Sequence, residues 1–348
     1  MATLASVPQP VVTARRRRVR QRSLIVAATV ALSALWPAVH AVAQGDLSAV
    51  IGPGTQSNAM PLLARELPWL VVRSNAGHDG QQFYVMARAP FRPRQVAQFL
   101  NDPSYRYRRI LYSAGAWALA PHGGTALLVA LVALGLLGVA LSAASISVLP
   151  RSPSWLPLIV AVTPGVVISL ALSMSDTLAL GFTLLGFAAA AHRRWRLVVL
   201  AMVAGALTRE TVVLAALALA LAPGMPARFR TAVVVTPVAV LGAWVIWVDR
   251  ALEQSAGSGA AEQLSLPLVG WLRSGDVATG LIIGLLLAAV MVVGVRHAEG
   301  APHVRVYLVL LLGLMAVLSE PVTASWVNTS RAVIAGLPLS AWVMTARA

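Results

Sequence analysis

A carboxylate flanked by glycines stands out in the segment GHDGQQFY, residues 77–84. Asp79 lies between Gly77 and Gly80, and glycine permits unusual backbone angles and the close approach of another group. A carboxylate in such a place can act as general base toward a hydroxyl nucleophile. The alternative interpretation is a turn in which Asp79 caps a helix that starts near Gln81.

The neighbours of Asp79 offer hydrogen bonds to a polyhydroxylated ligand. Gln81, Gln82 and Tyr84 carry amide and hydroxyl groups, and His78 precedes the aspartate. One His beside one Asp does not make a metal site. The chain has no cysteine, which excludes disulfides, thiolate nucleophiles and cysteine metal sites. We therefore predict a site without metal or cofactor.

A second cluster, RYRRIL, carries Arg106, Arg108 and Arg109. Arginine presents a planar fork of donors that matches phosphate oxygens. The same pattern of Arg and Tyr is also typical of an anchor at the membrane interface. The surrounding residues 44–110 hold eight Arg against four acids, which favours an anionic ligand.

Further ionisable groups interrupt apolar runs. Asp176 occurs in SMSDTLAL, Arg209 and Glu210 in ALTRETVVL, and Arg331 in NTSRAVIAG. Ionisable groups at membrane depth are costly and usually face a cavity or a partner. Other interpretations stay open: Asp176 as a helix N-cap, the Arg209–Glu210 pair as partners of other helices, and Arg331, like Glu320, as an ordinary loop charge.

The composition predicts a membrane protein. Of the 348 residues, 58% are hydrophobic and 11% are charged, and the mean hydropathy is +0.77. We predict an all-α, polytopic transmembrane bundle of about ten helices, within a range of 8–10. After a first helix at 23–43, the apolar stretches are 124–149, 155–174, 176–191, 197–207, 211–222, 231–248, 277–295, 304–319 and 331–345. The pair 197–207 and 211–222 is too short for two full spans, and it predicts either two half-helices or one helix interrupted at TRE.

Charge distribution predicts the topology. Residues 1–22 form a basic cytoplasmic tail, and residues 23–348 form one transmembrane domain whose first extracytoplasmic loop, 44–110, carries short amphipathic helices near MPLLARELPWLVV and RPRQVAQFL. With the N-terminus inside, the cytoplasmic segments hold 15 Arg and one acid, Glu299. This asymmetry accounts for the net charge of +15 without a nucleic-acid partner. The segment 23–43 also reads as a cleavable signal peptide.

Five segments together resemble bacterial polytopic glycosyltransferases of the GT-C class, including the mannosyltransferases related to PIG-V and PIG-M. They are GHDGQQFYVMARAP, DPSYRYRRILYSAGAWALA, SMSDTLALGFTLLGFAAAAHRRW, GALTRETVVL and NTSRAVIAGLPLSAWVM. Their order along the chain is similar to the order in that family.

The resemblance implies transfer of a sugar, possibly mannose, from a polyprenyl-phosphate donor to a glycan or glycolipid acceptor outside the cytoplasmic membrane. Asp79 matches the carboxylate that activates the acceptor. Arg108, Arg109 and Arg331 match groups for the donor phosphate, and Arg209 with Glu210 would shape the cavity. The full set of predicted binding residues is His78, Gln81, Arg106, Arg108, Arg109, Asp176, Arg209, Glu210 and Arg331.

Two other functions fit the same sequence. One is a transporter or flippase for a lipid-linked solute, although the duplicated halves common in transporters are not visible. The other is a non-catalytic membrane subunit of a cell-envelope assembly complex, which would act with a partner membrane subunit.

Overall fold

The computed structural model of the chain describes residues 9–72, 77–253, 264–273, 277–323 and 325–346. Within these ranges the regular structure is helical, with turns and irregular connections between the helices and an isolated bridge between Leu264 and Leu318. The all-α prediction is confirmed. The first eight residues of the predicted tail lie outside the described ranges, and residues 9–22 continue directly into the first helix.

The α-helices, in chain order, are α1 (Gln9–Gln44), α2 (Met60–Glu66), α3 (Asp79–Arg88), α4 (Pro103–Tyr107), α5 (Ile110–Leu119), α6 (Gly124–Ser147), α7 (Leu158–Val162), α8 (Pro164–Ala171), α9 (Asp176–Ala191), α10 (Trp195–Thr208), α11 (Val212–Leu219), α12 (Ala227–Leu252), α13 (Val269–Arg273), α14 (Val277–His297), α15 (Pro302–Ala316), α16 (Glu320–Thr323), α17 (Trp326–Ala332) and α18 (Gly336–Thr345).

Among the described residues, three helices are long and apolar enough to cross a membrane: the Val19–Gln44 part of α1, α6, and α12. A span of the bilayer core needs about 20 apolar residues. Helices α5, α9, α10 and α15 are apolar but shorter, as is the Leu281–His297 part of α14. Helices of this length and composition suggest a membrane protein.

Helix breaks fall where the backbone cannot continue. The predicted stretch 155–174 contains two short helices, α7 and α8, because Thr163 is extended and Pro164 lacks the N–H that a continuous helix needs. The apolar stretch is therefore not one continuous helix. The predicted interruption at TRE is confirmed, since Arg209 is extended, with φ −159° and ψ 126°, between α10 and α11.

The first loop is only partly as predicted. An amphipathic helix forms as α2, but RPRQVAQFL forms two 3₁₀ turns, 93–95 and 97–99, in place of an α-helix. Pro93 lies at the start of the first turn. The loop residues share an apolar core with α5, α6 and the start of α9, in which Tyr84, Tyr107 and Tyr112 are fully buried.

Close packing of α6 against α9 fixes the position of the segment that carries Asp176. A Cβ on Gly138 would lie 2.4 Å from the carbonyl carbon of Thr177, so the two helices approach to backbone contact. A Cβ on Gly181 would in turn lie 2.9 Å from the carbonyl oxygen of Gly138. Small residues at such crossings are typical of membrane helices.

Two ends of the helix bundle can be distinguished. The α6–α7, α9–α10, α11–α12 and α14–α15 connections, with the end of α18, surround one cavity. Asp79, Asp176, Arg209 and Arg331 gather at the other end. Helix α9 joins the two ends and is about 24 Å long at 1.5 Å per residue. The connections that the charge pattern predicts to be cytoplasmic therefore lie together at one end of the bundle.

Candidate functional site

A cavity of about 490 Å³ lies between the first loop and the helices α11, α15 and α17. Its polar part is formed by Asp79, Tyr105, Arg106, Arg108, Arg109, Arg209, Glu210, Thr211, Asn328 and Arg331. Its apolar part is formed by Val213, Leu214, Leu264, Leu314, Leu318, Val322 and Ala332. The cavity thus joins a guanidinium-rich surface to an aliphatic one.

Asp79 is the first residue of α3 and bridges two arginines. Arg106 Nη1 donates to Asp79 Oδ1 at 2.6 Å, and Arg331 Nη2 donates to Oδ2 at 2.8 Å. Removal from water raises the pKa of Asp79, but Arg106 and Arg331 outweigh this and hold that pKa well below its usual range. Asp79 is therefore ionised at neutral pH. His78, not Asp79, occupies the N-cap position.

Glycines place Asp79 by letting backbones meet. A Cβ on Gly80 would lie 2.2 Å from the carbonyl oxygen of Leu172, in the α8–α9 connection. Gly77 has φ +74°, a left-handed conformation that favours glycine. The close approach expected of a ligand at these glycines is instead made by the protein's own backbone. It ties the start of α3 to the segment that carries Asp176.

Asp176 is fully buried and holds two cations. Arg331 Nε donates to its Oδ2 at 2.8 Å, and Arg209 pairs with its Oδ1. Ser169 Oγ also donates to Oδ2, at 3.3 Å. Ser175, not Asp176, occupies the N-cap position of α9. The capping interpretation is therefore wrong, and this carboxylate serves as a counter-ion beneath the cavity.

Arg109 and Glu210 form a bidentate pair. Arg109 Nε and Nη2 donate to the two oxygens of Glu210 at 3.0 and 2.7 Å. The guanidinium also lies over the Tyr105 ring, 4.9 Å from its centroid, at a distance typical of cation–π contacts. Because Arg209 turns to Asp176 while Glu210 turns to Arg109, the break between α10 and α11 supplies two ion pairs to one site.

Two arginines of the site have side-chain nitrogens that form no hydrogen bond within the described residues. Arg108 Nε and Arg209 Nε are buried, and neither has a hydrogen-bond partner among the described residues. A buried donor without a partner is costly. Both side chains line the cavity, so the positive charge of each guanidinium can stabilise an anion there.

The charge of the site is positive. Among the described residues of the site, five guanidinium groups, from Arg106, Arg108, Arg109, Arg209 and Arg331, face three carboxylates, from Asp79, Asp176 and Glu210. Two positive charges remain in excess. This excess suits a doubly charged or phosphate-bearing ligand.

The structure brings together eight of the ten predicted site residues. Asp79, the five arginines and Glu210 line the cavity, and Asp176 lies directly behind Arg209 and Arg331. His78 and Gln81 do not line it. Glu320, at the start of α16, is exposed and also lies outside the lining.

The two residues outside the lining have structural contacts. His78 packs over Gly52, and its N–H donates to the Gly52 carbonyl at 2.8 Å. Gln81 is buried, and its Oε1 accepts from Gly54 N at 3.2 Å. Gln82 and Tyr84 likewise bond Asn101 and Glu66 within the loop. The hydrogen-bonding residues after Asp79 therefore hold the loop together.

Sequence reasoning missed the residues that complete the cavity. Tyr105 underlies three arginines, and its place within YRYRRIL was the available signal. Asn328 Oδ1 accepts from Arg331 Nη1 at 3.1 Å, and its spacing of three from Arg331 on a helix would have placed the two together. The apolar wall carried no signal, because aliphatic residues occur throughout the chain.

Within the described part of the chain, no three His, Cys, Asp or Glu side chains gather as metal ligands do. The carboxylates of this site are instead paired with arginine. Comparison of the chain with protein-family models, with curated proteins and with solved structures finds no match.

Proposed function

We propose that this protein transfers a sugar from a polyprenyl-phosphate donor to a hydroxyl of a cell-envelope glycan or glycolipid. The observation that carries the proposal is the cavity itself, in which a surplus of guanidinium groups adjoins an aliphatic wall and two partly exposed carboxylates, Asp79 and Glu210, of which Glu210 is held in a bidentate pair with Arg109. A lipid-phosphosugar has the same division into an apolar chain, a phosphate and a sugar. The resemblance to GT-C glycosyltransferases supports the same reaction.

We propose that the chain lies in the cytoplasmic membrane as a polytopic bundle of about ten transmembrane helices. The three long apolar helices support membrane insertion. The Arg-rich turns would face the cytoplasm and the cavity would face outside.

The reaction follows from the groups that the cavity presents. The acceptor oxygen attacks the anomeric carbon of the sugar, and Asp79 takes the hydroxyl proton. The bond between that carbon and the phosphate oxygen breaks, and polyprenyl phosphate leaves. The arginines stabilise the negative charge that the phosphate gains. Attack opposite the leaving group inverts the anomeric configuration.

Donor binding would also change the state of Asp79. A carboxylate that accepts from both Arg106 and Arg331 is a weak base, since its pKa is low. A phosphate in the cavity competes for the same guanidinium donors. As those donors turn to the phosphate, the pKa of Asp79 rises toward its ordinary value and the carboxylate becomes a better proton acceptor.

Replacing Arg108 tests the phosphate assignment. Arg108→Gln should raise KM for the donor by about tenfold or more, the value of a charged hydrogen bond, with a small effect on folding. The matched control is Arg92→Gln, an exposed arginine of the same loop that does not line the cavity. Initial rates against donor concentration give KM. Equal KM in both variants would remove Arg108 from the phosphate site.

Cysteine labelling tests the orientation, because the chain has no natural cysteine. Gln98 and Arg194 are both exposed, on the first loop and on the α9–α10 turn. An impermeant thiol reagent should label Gln98→Cys and not Arg194→Cys in intact cells. Labelling of both after permeabilisation is the control, and the reverse pattern in intact cells would overturn the orientation.

A further inference from the structure

A second cavity lies at the end of the bundle opposite Asp79. It has a volume of about 790 Å³ and is enclosed by the α6–α7, α9–α10, α11–α12 and α14–α15 connections and by the end of α18. Its apolar wall includes Ala222, Trp342 and Val343. Because α9 separates the two cavities by about 20 Å, this one takes no part in the proposed sugar transfer.

Basic side chains stand at the rim of this second cavity. Arg151 and Arg193 are exposed there, and among the described residues that line the cavity Glu299 is the only acid. Both arginines have φ +56°, a left-handed conformation that most side chains avoid and glycine accepts. The excess of Arg over acid gives the rim a positive charge.

A buried histidine lines the same cavity. His303, near the start of α15, is only 9% exposed, and its ring stacks on Phe187 with centroids 5.7 Å apart. His303 Nδ1 is buried and has no hydrogen-bond partner among the described residues. Positive-inside charge explains surface arginines but does not explain a buried polar atom without a partner. The imidazole that carries this atom lines the cavity, where a ligand can contact it.

We infer that this second cavity binds a phosphate-bearing anion, with Arg151 and Arg193 as its cations and His303 as a hydrogen-bond partner. The apolar wall and the Trp342 side chain, which donates to the Pro150 carbonyl at 3.0 Å, favour a phospholipid headgroup whose chains pass between the helices. Basic pockets between membrane helices suit anionic headgroups. Free phosphate shares the same chemistry and is the second source to be tested.

The experiment uses the full chain in detergent. Native mass spectrometry measures retention of phosphatidylglycerol and of phosphatidylcholine, and calorimetry measures binding of inorganic phosphate. The double variant Arg151→Gly with Arg193→Gly removes both cations at positions whose backbone suits glycine, so folding is retained. The matched control is Arg305→Gln, an exposed arginine on α15, two residues from His303, that does not line the cavity.

The expected result is that the double variant loses about tenfold in affinity for phosphatidylglycerol, and His303→Phe about fivefold. The control should stay within about twofold, as for an exposed charge. Binding of inorganic phosphate with the same dependence on the variants supports the site and assigns it to a soluble phosphate. Equal retention of both lipids without phosphate binding, or binding that the double variant leaves unchanged, would overturn the inference.

Discussion

Asp79→Asn is expected to reduce sugar transfer by on the order of 10²- to 10⁴-fold, the contribution of a general base. Asparagine keeps the size of the side chain and one acceptor oxygen, but it cannot take the acceptor proton. The measurement is the rate of transfer by the purified variant from a polyprenyl-phosphate sugar. The glycan profile of a deletion strain that carries the variant gives the same result in the cell and identifies the missing sugar.

Asp102→Asn is the matched control for this variant. Asp102 lies in the same loop, outside the cavity lining, and its side chain accepts from Tyr105 N at the start of α4. Asparagine caps a helix as well as aspartate does, so this variant should transfer sugar normally. Full activity in Asp79→Asn would rule out Asp79 as the general base. A loss of glycan in cells without any transfer by the purified native chain would favour the non-catalytic subunit instead.

Asp176→Asn is expected to destabilise the fold by about 3–5 kcal/mol, the cost of removing one partner from a buried ion pair. Asp176 is fully buried and pairs with Arg331 and Arg209, so two guanidinium groups would lose their shared counter-charge. Denaturant unfolding of the variant in detergent micelles measures the change in the free energy of unfolding.

Ser169→Ala provides the comparison for Asp176. It removes only the 3.3 Å hydrogen bond from Ser169 Oγ to the same carboxylate, which should cost about 1 kcal/mol. Equal losses in the two variants would mean that the charge of Asp176 does not hold the arginines. Because Arg331 also reaches Asp79, Asp176→Asn should lower activity even where the protein remains folded.

The sequence predicted most site residues because charge in an apolar chain is informative. Asp176, Arg209 and Arg331 interrupt long aliphatic runs, and each of them lies at the site. Their partners could not be predicted. Arg209 and Glu210 are adjacent, yet an extended residue between two helices directs them to different carboxylate and guanidinium groups.

Residues in polar surroundings were harder to interpret. Gln81 resembles a ligand contact in the sequence, yet it bonds the backbone of Gly54 inside the loop. Gly80 indicated close approach, and the approaching group is the carbonyl of Leu172. A one-dimensional pattern shows that a residue needs a partner, but tertiary packing decides whether the partner is a ligand or the protein.

The helices that connect the two cavities are short, with 16 residues in α9, 14 in α10 and 15 in α15. At 1.5 Å per residue they reach about 21–24 Å, whereas the hydrocarbon core of a bilayer is about 30 Å thick. In a bilayer, the partly exposed faces of α10 and α15 would therefore be shorter than the hydrocarbon core, whereas α6 and α12 are long enough to span it. A bilayer that surrounds the protein relieves such a mismatch by thinning locally. In the thinned region, the phosphate of the proposed lipid donor would reach the arginines while it stays at the usual depth of lipid headgroups.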